Sequence, residues 1–283
     1  MKITDPEVQF VIRKTYYDGI GNVMKGFITA YSVNQNTKIE CNPTYKLGVY
    51  NTVLDPQHIF DTNTDCRIFY MYTSRLLILA DEENIQEHIK NYENRDGSIG
   101  HISGCPEYNY LFSPNRLIDK NYDPTRISNP VKKRILSTIY NIQFLPIIYE
   151  NVNEILLGLG KNTLGISIRT WQCFHEANIR RAYSPYVYID KIKEVLEVNP
   201  EIDYLIVSYD NHDYEREYID FLNSLGIPFK ILHKSENLNE LQFAFIKMLT
   251  LSKSKYYIGQ RNSAFSELVW WFSDCTTRCY NVF

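Results

Sequence analysis

The chain has 283 residues, 44% of them hydrophobic and 22% charged, and a net charge of −3. That length buries one large core or two of medium size, and the slightly acidic balance excludes a global pull toward nucleic acid or an anionic membrane. No run approaches the roughly 18 consecutive apolar residues of a membrane span. The opening MKITDPEVQF is interrupted by Asp5, Pro6 and Glu7 before a signal-peptide core can form, so the expected location is the cytoplasm. The cysteines Cys41, Cys66, Cys105, Cys173, Cys275 and Cys279 form no CxxC pair and no zinc spacing with histidine, and buried free thiols are expected.

In chain order, VQFVIRK reads as a strand, TYYDGIGN as a glycine-containing loop, VMKGFITAYSV as a helix and TKIEC (37–41) as a second strand. Residues 44 to 128 are rich in turn and loop signals, with one further strand at RLLILA (75–80). Residues 130 to 159 are helical, interrupted at Pro146, and end in LGLG, where glycine suits a helix stop.

The second half alternates regularly. LGISIR (164–169) is a strand, and SPYVYIDKIKEVL a helix with Ser184 as cap and Pro185 in its first turn. YLIVSYD, IPFKIL and KYYIG are strands separated by the helices DYEREYIDFLNSLG and NLNELQFAFIKMLTL. SAFSELVWWF is the last helix and TRCYNVF a terminal strand. Strands alternating with amphipathic helices imply parallel βαβ units. The expected fold is α/β, with two Rossmann-like domains facing a cleft, residues 1–160 and 161–283.

In such sheets ligands bind beyond the carboxyl ends of the strands, where helix N-termini attract phosphate. Four places qualify. The first is DGIGN, where Gly19, Gly21 and Asn22 lie between strand and helix; a dinucleotide fingerprint would need glycine at Met24, although Glu40 stands where a ribose-binding acid belongs. The second is Arg169 with the loop after it. A strand-terminal arginine either clamps a diphosphate or serves a structural ion pair. Glu176 and His175 compete as general base, and Arg180 and Arg181 are candidates for holding a glycan or phosphate. The third is VSYDN, with Ser208 and Asp210. The fourth is IGQRNSAFSEL, a polar turn and helix start bearing Arg261, Ser263 and Ser266, where Ser263 is either an anion ligand or simply an N-cap.

Together these stretches resemble the GT-B fucosyltransferase superfamily, in particular the α1,6- and nodulation-factor fucosyltransferases. GIGNVMKGFITAYSVNQNTKIEC is similar to that family's glycine loop, helix and second strand, and GISIRTWQCFHEA to its strand ending in the diphosphate-binding arginine. LIVSYDN is similar to the strand whose acid contacts the nucleotide, and KSKYYIGQRNSAFSELVWW to the last motif with its donor-binding serine. The resemblance assigns these roles to Arg169, Asp210 and Ser263, and it places Glu176 one residue from the family's catalytic glutamate. The sequence departs from the pattern at Ser167, where the family has histidine, and at Thr170, where it has a second arginine.

The resemblance implies an inverting, metal-independent glycosyltransferase acting from a nucleotide sugar on a glycan or glycoprotein acceptor. No cofactor and no nucleic-acid partner is implied. The chain's compactness resembles chlorovirus capsid-glycan xylosyltransferases, which implies UDP-xylose as donor, a fucose-containing N-glycan as acceptor and the host cytoplasm as location. GDP-fucose is the alternative donor. A nucleotide-cofactor methyltransferase or reductase, or a non-catalytic glycan-binding module, are the readings from other classes.

Overall fold

The computed structural model describes residues 11–12, 21, 24, 28, 46–47, 52–53, 69–70, 129–169, 185–210, 214–260 and 263–282. The elements are β1 (Val11–Ile12), β2 (Lys46–Leu47), β3 (Thr52–Val53), β4 (Phe69–Tyr70), α1 (Asn129–Tyr140), α2 (Pro146–Leu156), β5 (Thr163–Ile168), α3 (Pro185–Val198), β6 (Tyr204–Tyr209), α4 (Glu215–Ser224), β7 (Phe229–Ile231), α5 (Glu240–Leu251), β8 (Tyr256–Gln260), α6 (Ala264–Phe272) and β9 (Arg278–Val282).

Five strands form one parallel sheet in the order β7-β6-β5-β8-β9. The chain enters at β5, winds outward through β6 and β7, then returns to the other side of β5 for β8 and β9. The direction of winding therefore reverses beside β5, the point at which open α/β sheets leave a crevice at their carboxyl edge. Each helix of this half, α3 to α6, falls where the 3.6-residue pattern predicts it. Gly226 ends the turn after α4 with φ of 66°, and Gly158 does the same after α2 with φ of 80°, backbone conformations that glycine adopts without steric cost. α5 starts on a reciprocal cap: Asn239 Oδ1 accepts the Gln242 N–H at 2.8 Å, and Gln242 Oε1 accepts the Asn239 N–H at 3.1 Å.

The two faces of the sheet differ. Leu164, Ile166 and Ile168 of β5 join Leu205, Val207 and Tyr209 of β6 against Tyr188 and Ile192 of α3 and Tyr218 and Leu222 of α4. The opposite face receives α5 and α6. It is kept close by Gly165, where an added Cβ would sit 2.7 Å from Ser254 Oγ and 3.1 Å from Leu251 Cδ2. α1 and α2 lie outside this second layer, where Phe144 between them meets Phe245 of α5 at 5.1 Å and Phe272 of α6 at 6.0 Å between ring centroids. At the amino edge, Asp203 accepts the backbone N–H groups of Lys161 (3.2 Å) and Asn162 (3.0 Å), fixing the entry to β5. Among the described residues no helix is long and apolar enough to cross a membrane.

The first half agrees with expectation at Val11–Ile12, at the helical Met24 and Ile28 and over α1 and α2, and departs from it elsewhere where it is described. Residues 44–128 carry strand residues at β2, β3 and β4; β1 pairs with β4 in parallel, and β2 with β3 antiparallel. Two-residue strands carry too little alternation to stand out from turn-rich sequence. The helical break near Pro146 spans residues 141–145, and Pro146 opens α2 because its missing N–H costs nothing in a first turn. Gly21 is helical, not part of the preceding loop. The expected strands at 37–41 and 75–80 lie outside the described residues.

Ile166, fully buried in the strand at the centre of the sheet, tests this core. Ile166→Ala should destabilise the fold by about 2–5 kcal/mol in denaturant unfolding, the usual cost of such a cavity.

Candidate functional site

At the carboxyl end of β5 the chain leaves the sheet at Arg169, and a buried tyrosine fixes it there. Tyr188, fully buried in α3, accepts the Arg169 backbone N–H at 3.0 Å and donates its own O–H back to the Arg169 carbonyl at 3.3 Å. Burial raises the Tyr188 pKa strongly, so the hydroxyl stays protonated and able to donate. The main chain of Arg169 is thus held at both polar groups while its side chain remains partly exposed. Its Nε lies 4.0 Å from Asp210 Oδ2, just past the end of β6. Each side chain is more than a third exposed (38% and 35%), so the pair contributes little to stability and mainly orients the guanidinium.

Ser208 belongs to the body of β6, not to the turn after it, and is 4% exposed. It pairs in register with Ser167, one residue short of Ile168↔Tyr209. The residue that stands in place of the family's histidine, Ser167, lies in β5 opposite Ser208 of β6 and is half-buried.

Ser263 caps α6, its Oγ accepting the Ser266 N–H at 3.3 Å and its carbonyl the Glu267 N–H at 3.1 Å. Ser266 corrects the expectation of a second hydroxyl at the helix mouth. It is 1% exposed, and its Oγ lies 3.0 Å from the Tyr257 hydroxyl on the sheet. Gly259 makes room for it, since a Cβ there would fall 2.6 Å from Ser266 Oγ. The sequence pattern places Ser263 and Ser266 in one turn, but the first faces the helix start and the second faces β8.

Gly21 joins this place from far away in sequence. A Cβ on Gly21 would lie 2.7 Å from the Phe265 backbone nitrogen and 2.8 Å from the Ala264 carbonyl carbon. The Gly21 backbone is therefore packed directly on the first turn of α6. Arg169, Asp210 and Ser263 follow the carboxyl ends of β5, β6 and β8, and Gly21 packs on the helix that Ser263 caps. Gly19, Asn22, Glu40, His175, Glu176, Arg180, Arg181 and Arg261 lie outside the described residues. Tyr188 was missed as a functional residue, because in sequence it is one apolar member of a helical stripe; only the fold brings its hydroxyl to Arg169. Cys275 and Cys279 are free thiols, both with pKa pushed up to about 12 by burial, which leaves them unreactive. The other four cysteines lie outside the described residues.

In sequence the chain matches no family model and no curated protein at a significant level. In structure it is similar to POFUT1 in complex with GDP, with a TM-score of 0.53 and 12% identity over 99% of both chains. It is similar to an Arabidopsis thaliana FUT1 mutant in complex with GDP, with a TM-score of 0.52 and 10% identity over 95% of this chain and 70% of that one. It is also similar to NodZ α-1,6-fucosyltransferase soaked with GDP-fucose, with a TM-score of 0.50 and 12% identity over 94% and 93% of the two chains. The chain therefore shares its fold with these fucosyltransferases. The three were solved with GDP or GDP-fucose, so the expectations of UDP-xylose, an N-glycan acceptor and a viral enzyme find no support in them.

Two substitutions test the geometry. In an open helix Gly21→Ala would stabilise by about 0.5–1 kcal/mol; against the α6 backbone it should instead lower stability by about 1–3 kcal/mol, the range for overpacking, and the sign of the melting-temperature shift decides. Tyr188→Phe leaves a buried backbone N–H and C=O without partners and should cost about 1–3 kcal/mol. A variant as stable as the parent would show that the hydroxyl does not anchor Arg169.

Proposed function

We propose that the chain is an inverting glycosyltransferase that moves a sugar from a nucleotide sugar to a hydroxyl of a glycan acceptor, with GDP-fucose favoured over UDP-xylose as donor. The observation that carries this reading is that Arg169 follows β5 and the Ser263-capped α6 follows the neighbouring β8, so both start from one edge of the sheet, with Gly21 packed on α6. A strand-terminal guanidinium and a helix mouth both favour a diphosphate. GDP-fucose is preferred because the similar structures were solved with GDP or GDP-fucose.

In this reading residues 161–283 take the nucleotide sugar and residues 1–160 the acceptor side. The acceptor oxygen attacks the anomeric carbon from the face opposite the leaving group. Its proton passes to a base, with Glu176 first and His175 second in line. The bond from the anomeric carbon to the phosphate oxygen breaks, and its electron pair stays on the nucleoside diphosphate. Arg169 and the N–H groups at the start of α6 meet that growing negative charge. The sequence has no Asp-x-Asp run for a divalent ion, so protein groups take this role. Asp210 holds the guanidinium toward the crevice, and Arg180 and Arg181 are assigned to the acceptor.

The test is a thermal-shift panel of GDP, UDP, GDP-fucose and UDP-xylose, followed by transfer assays with the ligand that binds. A donor at 100 times its Kd should stabilise the fold by about 2.7 kcal/mol. Arg169→Ala should lower kcat by about a hundredfold or more. Full turnover in that variant, or indifference to all four ligands, would sink the proposal.

A further inference from the structure

α5 delivers a second cation to the edge where Arg169 stands. The helix runs antiparallel to the strands and packs on the β5 face that carries Gly165 and Ser167. Leu251 is fixed by contact with Gly165 near the base of the sheet. One helical turn back, about 6 Å, is Lys247; two strand residues up from Gly165, about 6.6 Å, is Ser167. Lys247 therefore leaves the helix about level with Ser167. Its Nζ then extends one turn further toward the start of α5, lying 4.8 Å from the centre of the Phe243 ring. This is the direction of the carboxyl edge. Arg169 and Asp210 stand at that edge, immediately past the ends of β5 and β6.

The electrostatics agree with that placement. Burial pushes the Lys247 pKa below the usual lysine range; Asp210 and Glu240 oppose the shift, and Arg169 reinforces it. Glu240 is engaged elsewhere, 2.8 Å from Lys234 Nζ. Among the described residues the Lys247 ammonium meets an aromatic ring and no carboxylate. A partly buried ammonium without a carboxylate costs free energy that an anion would return.

We propose that Lys247 is a second diphosphate-binding residue of the donor site, supplying positive charge that the Arg169–Asp210 pair leaves wanting. Arg169 and Asp210 nearly cancel at 4.0 Å, whereas a nucleoside diphosphate brings at least two negative charges. An ammonium offers donors only, so it selects the phosphate oxygens as a point charge, while the guanidinium supplies a planar fork. The inference rests on the donor site proposed above.

Affinities of GDP, UDP, guanosine and uridine for the parent chain and for Lys247→Met and Lys247→Gln provide the test. Both variants should lose about ten- to a hundredfold in affinity for GDP and for UDP, the size of one charge-assisted contact, and nothing for the nucleosides. Without ligand both should melt no lower than the parent, since a costly charge has been removed. Unchanged diphosphate affinity overturns the inference, and so does an equal loss for the nucleosides, which would make Lys247 a reader of the base. A parent chain that binds no nucleoside diphosphate overturns the donor-site reading itself, an outcome distinct from the other two.

Discussion

The two-residue period of β5 and β6 is the constraint on which the rest of this half of the molecule depends. Once Leu164, Ile166 and Ile168 are committed to the layer of α3 and α4, Gly165 and Ser167 face α5 and α6, and the next residue on that side is Arg169. The same arithmetic in β6 sends Leu205, Val207 and Tyr209 one way and Ser208 and Asp210 the other. Parallel pairing in register sets the two ends side by side, with Ile168 opposite Tyr209, so the arginine and the aspartate emerge together. A slip of one residue would turn Leu164, Ile166 and Ile168 out of the apolar layer. Packing of the apolar face thus decides where the charged pair appears.

Precision at the edge comes from groups that give nothing to a ligand. Tyr188 fixes the Arg169 backbone from within the apolar layer, where its ring fills the core and only its hydroxyl reaches the strand end. On the other side, Gly165 and Gly259 give up side chains so that Ser254, Leu251 and Ser266 can come close. Gly21 does the same from the opposite end of the sequence, bringing a backbone segment against the mouth of α6. The strand-terminal arginine keeps a partly exposed side chain on a fixed main chain. That arrangement suits a residue required to meet charge where it develops rather than where it rests.

Much of this was legible in the sequence. The alternation of strand and helix from residue 163 onward gave the parallel sheet, because those helices are long and periodic and their stops are marked by Pro200 and Gly226. Arg169, Asp210 and Ser263 were visible because each closes a strand or opens a helix. What was missed shares a different cause. Ser208 and Ser266 looked like ligand hydroxyls because local sequence does not say which face of a strand or helix turns inward. Gly21 looked like loop because glycine lowers helix propensity, and the contact that selects it lies more than 240 positions away. Lys247 was not singled out at all, because only the packing of α5 on β5 relates it to the edge. Local rules find the elements; the side facing the site is a tertiary property.

The two faces of the sheet therefore carry different burdens. The α3–α4 face is nearly all apolar, apart from hydroxyls such as that of Tyr188, and its burial supplies stability. The α5–α6 face mixes Ser167, Ser208, Tyr257, Ser266 and Lys247 into its packing, and each polar group there must find a partner or cost the fold. The Tyr257 hydroxyl lies 3.0 Å from Ser266 Oγ, so these two buried side chains satisfy one another. Two charged residues enter these layers, the fully buried Glu267 of α6 and Lys247 of α5, whose ammonium lies over the Phe243 ring. A domain selected only for stability would place a methionine or leucine there, at lower cost in desolvation. Keeping a lysine on this face, with Asp210 shared between it and Arg169, is explicable if further negative charge arrives with a ligand.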